Sequence, residues 1–149
     1  QMTSILEGAI QRGTGKSLKK LKLNLAGKTG TTNENTDTWF VGFTSNLVIG
    51  VFVGADNPIS LGKFETGSKT ALPIFQEFIS KAVKKSDARP FKAPEGTVMM
   101  VVDPNTGQKA KFSSKNTIIE VYKEKNVIEG KVKYSNKNRL ETNNILKFY

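Results

Sequence analysis

The chain reads as an α+β fold, an antiparallel sheet packed with an N-terminal and a C-terminal helix and followed by a small β-rich extension. Three observations predict it. Residues 2–12 carry apolar side chains at helical spacing, residues 38–54 hold two β-rich runs separated by a short link, and residues 71–83 return to helical spacing.

Met2, Ile5, Leu6, Ala9 and Ile10 recur at i, i+3, i+4, i+7 and i+8, so residues 2–12 form an amphipathic helix with one face to bury, closed by Gly13. Leu21, Leu23 and Leu25 then alternate with Lys22 and Asn24. That is the period of a half-buried strand, and it runs into Gly27-Lys28-Thr29-Gly30-Thr31-Thr32. Residues 38–44 and 47–54 are rich in aromatic and β-branched side chains, and Ser45-Asn46 between them predicts a tight hairpin. Three consecutive antiparallel strands result. After a polar, Gly-rich loop from Asp56 to Gly67, the residues Ala71, Leu72, Phe75, Phe78, Ile79, Ala82 and Val83 mark a second helix that should lie on the sheet, with Pro73 tolerable in its first turn.

Residues 86–96, with Pro90 and Pro94 among charged side chains, read as a linker between a unit at 1–85 and an extension at 97–149. In the extension, Thr97–Val102 is a strand and Asp103-Pro104-Asn105-Thr106-Gly107 a turn, from which Gln108–Phe112 returns as the hairpin partner. Ile118–Tyr122 is a weaker strand.

Composition narrows the chemistry. With no Cys and no His, a Cys nucleophile, a Ser-His-Asp triad, a thiolate zinc site and an imidazole base are excluded, which leaves Lys, Tyr or a carboxylate as any base. No metal or cofactor is expected. The formal net charge of +10 comes mostly from Lys scattered among Asn, with no cluster of Arg and stacking aromatics, so no nucleic-acid partner is expected. No stretch approaches the roughly 20 apolar residues that span a bilayer. Gln1-Met2-Thr3 leads straight into the helical pattern without a basic start or cleavage site, and the chain reads as a piece of something longer.

The segment Lys28-Thr29-Gly30-Thr31-Thr32 is the most informative, because it packs an amine, hydroxyls and a side-chain-free residue beside a strand. Around it stand Gly13-Thr14-Gly15, the prefix from Ala26, Asp37-Thr38-Trp39-Phe40-Val41-Gly42-Phe43 and Val51-Phe52-Val53-Gly54. In that order and spacing these resemble the C-terminal part of the transpeptidase domain of a class A (bifunctional) penicillin-binding protein. The Val102-Asp103-Pro104-Asn105-Thr106-Gly107 turn is similar to the segment that trails such domains.

The resemblance implies the last three strands and the closing helix of a five-stranded transpeptidase sheet with helices on both faces. It implies a serine D,D-transpeptidase that cross-links peptidoglycan through an acyl-enzyme and binds β-lactams. Lys28 would supply a positive field to the substrate's C-terminal carboxylate and to the reacting centre, and Gly30 would let an extended stem peptide reach the strand's backbone. Thr29 and Thr31 resemble the residues whose hydroxyls bind that carboxylate, and Thr32 completes the box. Trp39 reads as a core or cleft-wall aromatic. The partners implied are D-Ala-D-Ala stem peptides, β-lactams and the rest of the transpeptidase domain. A glycosyltransferase domain and a membrane anchor would belong to the longer protein, placing it on the extracytoplasmic face of the cytoplasmic membrane.

The same family requires Ser-x-x-Lys and Ser-x-Asn upstream of the box. Ser17-Leu18-Lys19-Lys20 spells the first but sits eight residues before Gly27-Lys28, in a basic segment, and Ser114-Lys115-Asn116 spells the second but follows the box. Both are read as coincidences, so the chain alone is expected to be inactive and, with a sheet edge and face uncovered, to self-associate, swap strands or fold its tail strands (97–102 and 108–112) back as a substitute. Gly15-Lys16-Ser17 mimics the end of a phosphate loop, whose first glycine would fall at Ile10. Two other readings share these residues: a fragment of a serine β-lactamase or D,D-carboxypeptidase, and a non-catalytic basic binding module.

Overall fold

The computed structural model describes residues 1–111 and 115–128. Its first element is helix α1, Met2–Gln11. Gly13 and Gly15 both donate their N–H to the Ala9 carbonyl, at 3.1 Å each, which closes the helix where the glycines predict. Only part of the expected apolar stripe is covered: Ile10 is buried, whereas Met2 and Ile5 are exposed.

The leucine alternation at 21–25 is not a strand. Lys16–Leu21 forms a 3-10 turn that ends on Lys22 in the left-handed region, at φ 54°. The strand β1 begins only at Ala26 and runs to Thr31. The reason lies in its partner. Ala26 is paired with Phe43, so Leu25 would have to pair with Thr44. Thr44 is already engaged in the hairpin turn, with its N–H on the Leu47 carbonyl at 2.9 Å and its hydroxyl accepting from Leu47 N at 3.1 Å. Leu18 and Leu25 are nevertheless buried, and Leu21 and Leu23 pack against the same core. Asn24 between them donates to the Ala88 carbonyl at 2.9 Å. The alternation therefore records burial along an irregular segment.

Strands β2, Thr38–Phe43, and β3, Val48–Val53, follow as expected. The sheet has the order β1-β2-β3, antiparallel throughout. Helix α2, Ala71–Ala82, accepts Pro73 in its first turn. It lies on β2 and β3 while α1 lies on β1. One core joins them: Ile10, Leu18, Leu25, Phe40, Leu72, Phe75 and Ile79, with Ile49, Val51 and Val53 packed against it. Phe40 is 0% exposed, and its ring meets Phe75 edge-on at 4.6 Å. Phe78, expected on the same stripe, is exposed. The chain beyond α2 stays with this unit as far as Phe91, whose ring packs on Phe43 at 5.5 Å.

The loop before α2 is seated on the sheet through Gly67. A Cβ at that position would run into the backbone carbonyl oxygens of Trp39 and Gly30, so only glycine allows so close an approach. Asn35 ties the same loop down by donating from its side-chain amide to the Gly62 and Lys63 carbonyls at 2.9 and 2.8 Å.

The second unit, from Lys92, holds β4 (Thr97–Val102), β5 (Ile118–Lys123) and α3 (Glu124–Ile128). β4 pairs antiparallel with β5, from Thr97 opposite Lys123 to Val102 opposite Ile118. Val98, Met100 and Val102 form its core with Val127. This corrects the expected hairpin. The Asp103–Gly107 turn forms, with Gly107 N on the Asp103 carbonyl at 2.8 Å, but among the described residues the return forms no strand and contributes a Val102–Lys109 bridge. Val101 accepts from Ala110 N. Ile118–Lys123, with four apolar side chains against one in Gln108–Lys111, takes the ladder because it covers more of the apolar face of β4. Phe112 lies outside the described residues. Among the described residues no helix is long and apolar enough to cross a membrane.

Two substitutions test this packing. Phe40→Ala should destabilise the first unit by about 3–5 kcal/mol in a denaturant titration, the range for emptying a buried aromatic site. Gly67→Ala should cost roughly 1–3 kcal/mol through overpacking against rigid backbone and speed hydrogen exchange at residue 67. By contrast Gly50→Ala, whose added Cβ would find only Trp39 Cζ3 at 3.9 Å, should be near neutral.

Candidate active site

The residues Lys28 to Thr31 occupy β1, an edge strand of the three-stranded sheet. Its pairing with β2 decides where each side chain goes. Lys28 stands opposite Val41 and Gly30 opposite Trp39, whereas Thr29 stands opposite Phe40 and Thr31 opposite Thr38. Strand alternation therefore puts Lys28 and Gly30 on the open face with Trp39 and Val41, and turns Thr29 and Thr31 to the other side of the edge. Trp39 forms a wall beside Gly30, its ring tilted at 48° against Phe52 with centroids 4.9 Å apart.

Although the strand alternates, the polar groups converge. The exposed Lys28 ammonium folds over its neighbour, donating to the Thr29 carbonyl at 3.1 Å and to Thr29 Oγ1 at 3.3 Å. Thr29 Oγ1 lies 2.8 Å from Thr14 Oγ1. Thr31 Oγ1 accepts from Gly67 N at 3.1 Å. An ammonium and two hydroxyls thus sit along a strand edge that has no further partner among the described residues. Such an edge offers backbone N–H and C=O groups to an extended peptide and a cationic, hydroxyl-bearing patch to a carboxylate.

Thr32 is placed differently. Its hydroxyl accepts from Asp37 N at 2.8 Å and pairs with Thr36 Oγ1 at 2.8 Å, closing the loop that links β1 to β2. Behind the site, the buried Thr38 hydroxyl pairs with Thr70 Oγ1 at 2.6 Å and so fixes the start of α2 to the sheet.

Two contributors escaped the sequence reading. In the sequence, Thr14 stands only within the Gly13-Thr14-Gly15 segment, and Gly67 only at the end of a polar loop. Their partners lie 15 and 36 residues away, and no local periodicity signals such contacts. Of the rejected motifs, Ser17 and Lys20 are exposed on the 3-10 turn, and Ser114 lies outside the described residues.

No protein-family model matches the chain. Individual proteins do. It is 50% identical over 127 residues to penicillin-binding protein 1A of Rickettsia conorii, covering 85% of this chain and 16% of that protein. It is 42% identical over 123 residues to penicillin-binding protein 1A of Pseudomonas aeruginosa, covering 82% of this chain and 15% of the relative. The chain therefore spans about a sixth of the length of the curated relatives it matches. In fold, it superposes on the crystal structure of penicillin-binding protein 1A from Haemophilus influenzae with a TM-score of 0.70 and 29% identity, over 81% of this chain and 19% of that one. Sequence and fold agree with the box and its edge strand: the chain belongs to the class A penicillin-binding proteins, as a fragment that carries part of the transpeptidase fold.

Proposed function

We propose that this chain supplies the Lys-Thr-Gly wall of a serine D,D-transpeptidase active site in a peptidoglycan-synthesising penicillin-binding protein. The observation that carries the reading is the convergence of the Lys28 ammonium with the Thr29 hydroxyl on an unpaired strand edge, beside Gly30 and Thr31. A stem peptide ending in D-Ala-D-Ala adds to that edge as an extended strand, and Gly30 leaves room for its backbone. Lys28, Thr29 and Thr31 take the terminal carboxylate, while Thr32 holds the loop that frames it.

The nucleophilic serine and its activating lysine belong to the rest of the transpeptidase domain. Serine Oγ attacks the penultimate D-Ala carbonyl and forms an ester, and the terminal D-Ala leaves as an amine that takes up the serine proton. An amine of a second stem peptide then attacks the ester, forms the cross-linking amide and restores the serine hydroxyl. A β-lactam enters by the same first step, its ring amide opening while its carboxylate occupies the clamp. Lys28, as a fixed charge close to the reacting centre, lowers the energy of the developing negative charge. The full protein works on the extracytoplasmic face of the cytoplasmic membrane, held there by an anchor outside this chain.

The 149-residue chain alone should form no covalent adduct with a labelled penicillin by mass spectrometry, and stoichiometric acylation, above all at Ser17, would overturn the assignment. In the full-length protein, Lys28→Ala should impair acylation by peptide and penicillin alike. Thr31→Val should lower acylation efficiency about ten- to a hundredfold, since a hydrogen bond to a charged group is worth about 1.5–3 kcal/mol. Thr31→Ser, which keeps the acceptor for Gly67 N, should stay close to wild type, and wild-type kinetics in both Lys28→Ala and Thr31→Val would sink the reading.

The open sheet face generates a prediction of its own. Trp39, Val41, Val48 and Phe52 are all exposed there, and contiguous apolar faces of this kind recruit partners. Sedimentation of the isolated chain should show self-association that Val48→Lys weakens.

A further inference from the structure

We infer that Thr14 is a positioning residue of the carboxylate clamp: its hydroxyl pairs with that of Thr29 in the empty site and reverses its hydrogen bond when a carboxylate arrives, freeing the Thr29 proton for the ligand. The inference rests on the proposed function above.

The geometry around Thr29 carries it. A threonine hydroxyl has one proton to give and two lone pairs to accept with. One lone pair of Thr29 Oγ1 takes the Lys28 ammonium at 3.3 Å. The bond of 2.8 Å to Thr14 Oγ1 can run in either direction, because both atoms are hydroxyls. In the empty site the order Lys28 to Thr29 to Thr14 is favoured, since a hydroxyl that accepts from a cation becomes a better donor. A carboxylate is a stronger acceptor than a hydroxyl, so on binding it draws the Thr29 proton to itself. Thr14 then turns its own proton into the second lone pair of Thr29. Two O–H bonds rotate, no proton changes atom, and Thr29 ends with both lone pairs and its proton in use.

The turn that holds Thr14 is built tightly enough to aim it. Gly13 and Gly15 flank it, and both donate to the Ala9 carbonyl. A Cβ on Gly13 would lie 2.9 Å from the Ala9 carbonyl oxygen, and one on Gly15 would lie 2.7 Å from Ile10 Cδ1. The two glycines thus let the chain turn back against α1 and hold the hydroxyl between them over β1. Thr14 is itself exposed and adds nothing to the core. Here it differs from the Thr38–Thr70 pair, which is engaged with the base of α2.

The test uses the full-length protein with Thr14→Val and Thr14→Ser. Acylation by benzylpenicillin is followed over a concentration series that separates the saturation constant from the limiting rate, and acylation by its methyl ester is followed alongside. Thr14→Val should raise the saturation constant for the acid about three- to tenfold, the worth of one hydrogen bond, and leave the limiting rate unchanged. Thr14→Ser should restore the wild-type constant, and the ester should be indifferent to both substitutions. An unchanged constant in Thr14→Val, a lowered limiting rate, or an equal loss for acid and ester would overturn the inference and leave the clamp standing. A wild-type protein acylated no better by the acid than by the ester would remove the clamp, and this inference with it.

Discussion

The register between β1 and β2 is the constraint on which the site depends. Side chains alternate with a period of two, so a slip of β1 by one residue would carry Lys28 to the side now held by Thr29 and Thr31. Glycines prevent the slip. Gly27 faces Gly42 across the ladder, and a Cβ at Gly42 would lie 2.7 Å from both Phe40 Cε1 and Phe75 Cζ. The aromatic pair can close over the sheet only where the strand carries no side chain, and that happens in one register. The core contact between two phenylalanines thereby fixes the address of an ammonium on the opposite face.

Once the register is set, the rest of the site is assembled by long-range hydrogen bonds from loops. Thr31 receives Gly67 N, Thr29 meets Thr14, and Thr32 closes its own turn against Asp37. Each bond is modest alone, on the order of 1 kcal/mol net. Their effect is geometric: three segments of chain converge on a strand of six residues, so that the side chains of Thr29 and Thr31 are held in place along its edge. Gly67 shows how close the convergence is, because the loop backbone lies where any side chain would meet two carbonyl oxygens of the sheet.

Much of this was legible in the residues, and the failures have physical causes. The hairpin could be read because its two strands satisfy alternation and turn chemistry together: Thr38, Phe40 and Gly42 are buried while Trp39 and Val41 are not, and Thr44 caps the turn. The box and its flanks could be read because their chemistry is unusual. The leucines at 21, 23 and 25 misled because alternate burial needs only a groove to line, whereas a strand also needs a neighbour with free backbone groups, and the Thr44 N–H is turned to Leu47 in the hairpin instead. The return from the Asp103 turn misled for a related reason. A turn delivers a segment to the side of β4, but Ile118–Lys123 brings the apolar side chains that win the ladder. Gly67 left no trace in any local pattern, and the Gly-Thr-Gly segment around Thr14 marks a turn without its partner, because their value lies in contacts that only the folded chain creates.

The open face of the sheet joins packing to chemistry. Lys28 is opposite Val41, and Gly30 is opposite Trp39, so the charged group and the exposed apolar side chains share one surface by necessity of the strand period. Any element of the full protein that covers Trp39, Val41 and Phe52 to bury their apolar area also takes water away from Lys28. A charge in that situation acts on its neighbours through a lower effective dielectric, and its attraction for a carboxylate a few ångströms away grows several-fold over the value in bulk water. In the clamp proposed for this strand, the apolar face therefore acts together with Lys28, since its covering would set how strongly the lysine is felt.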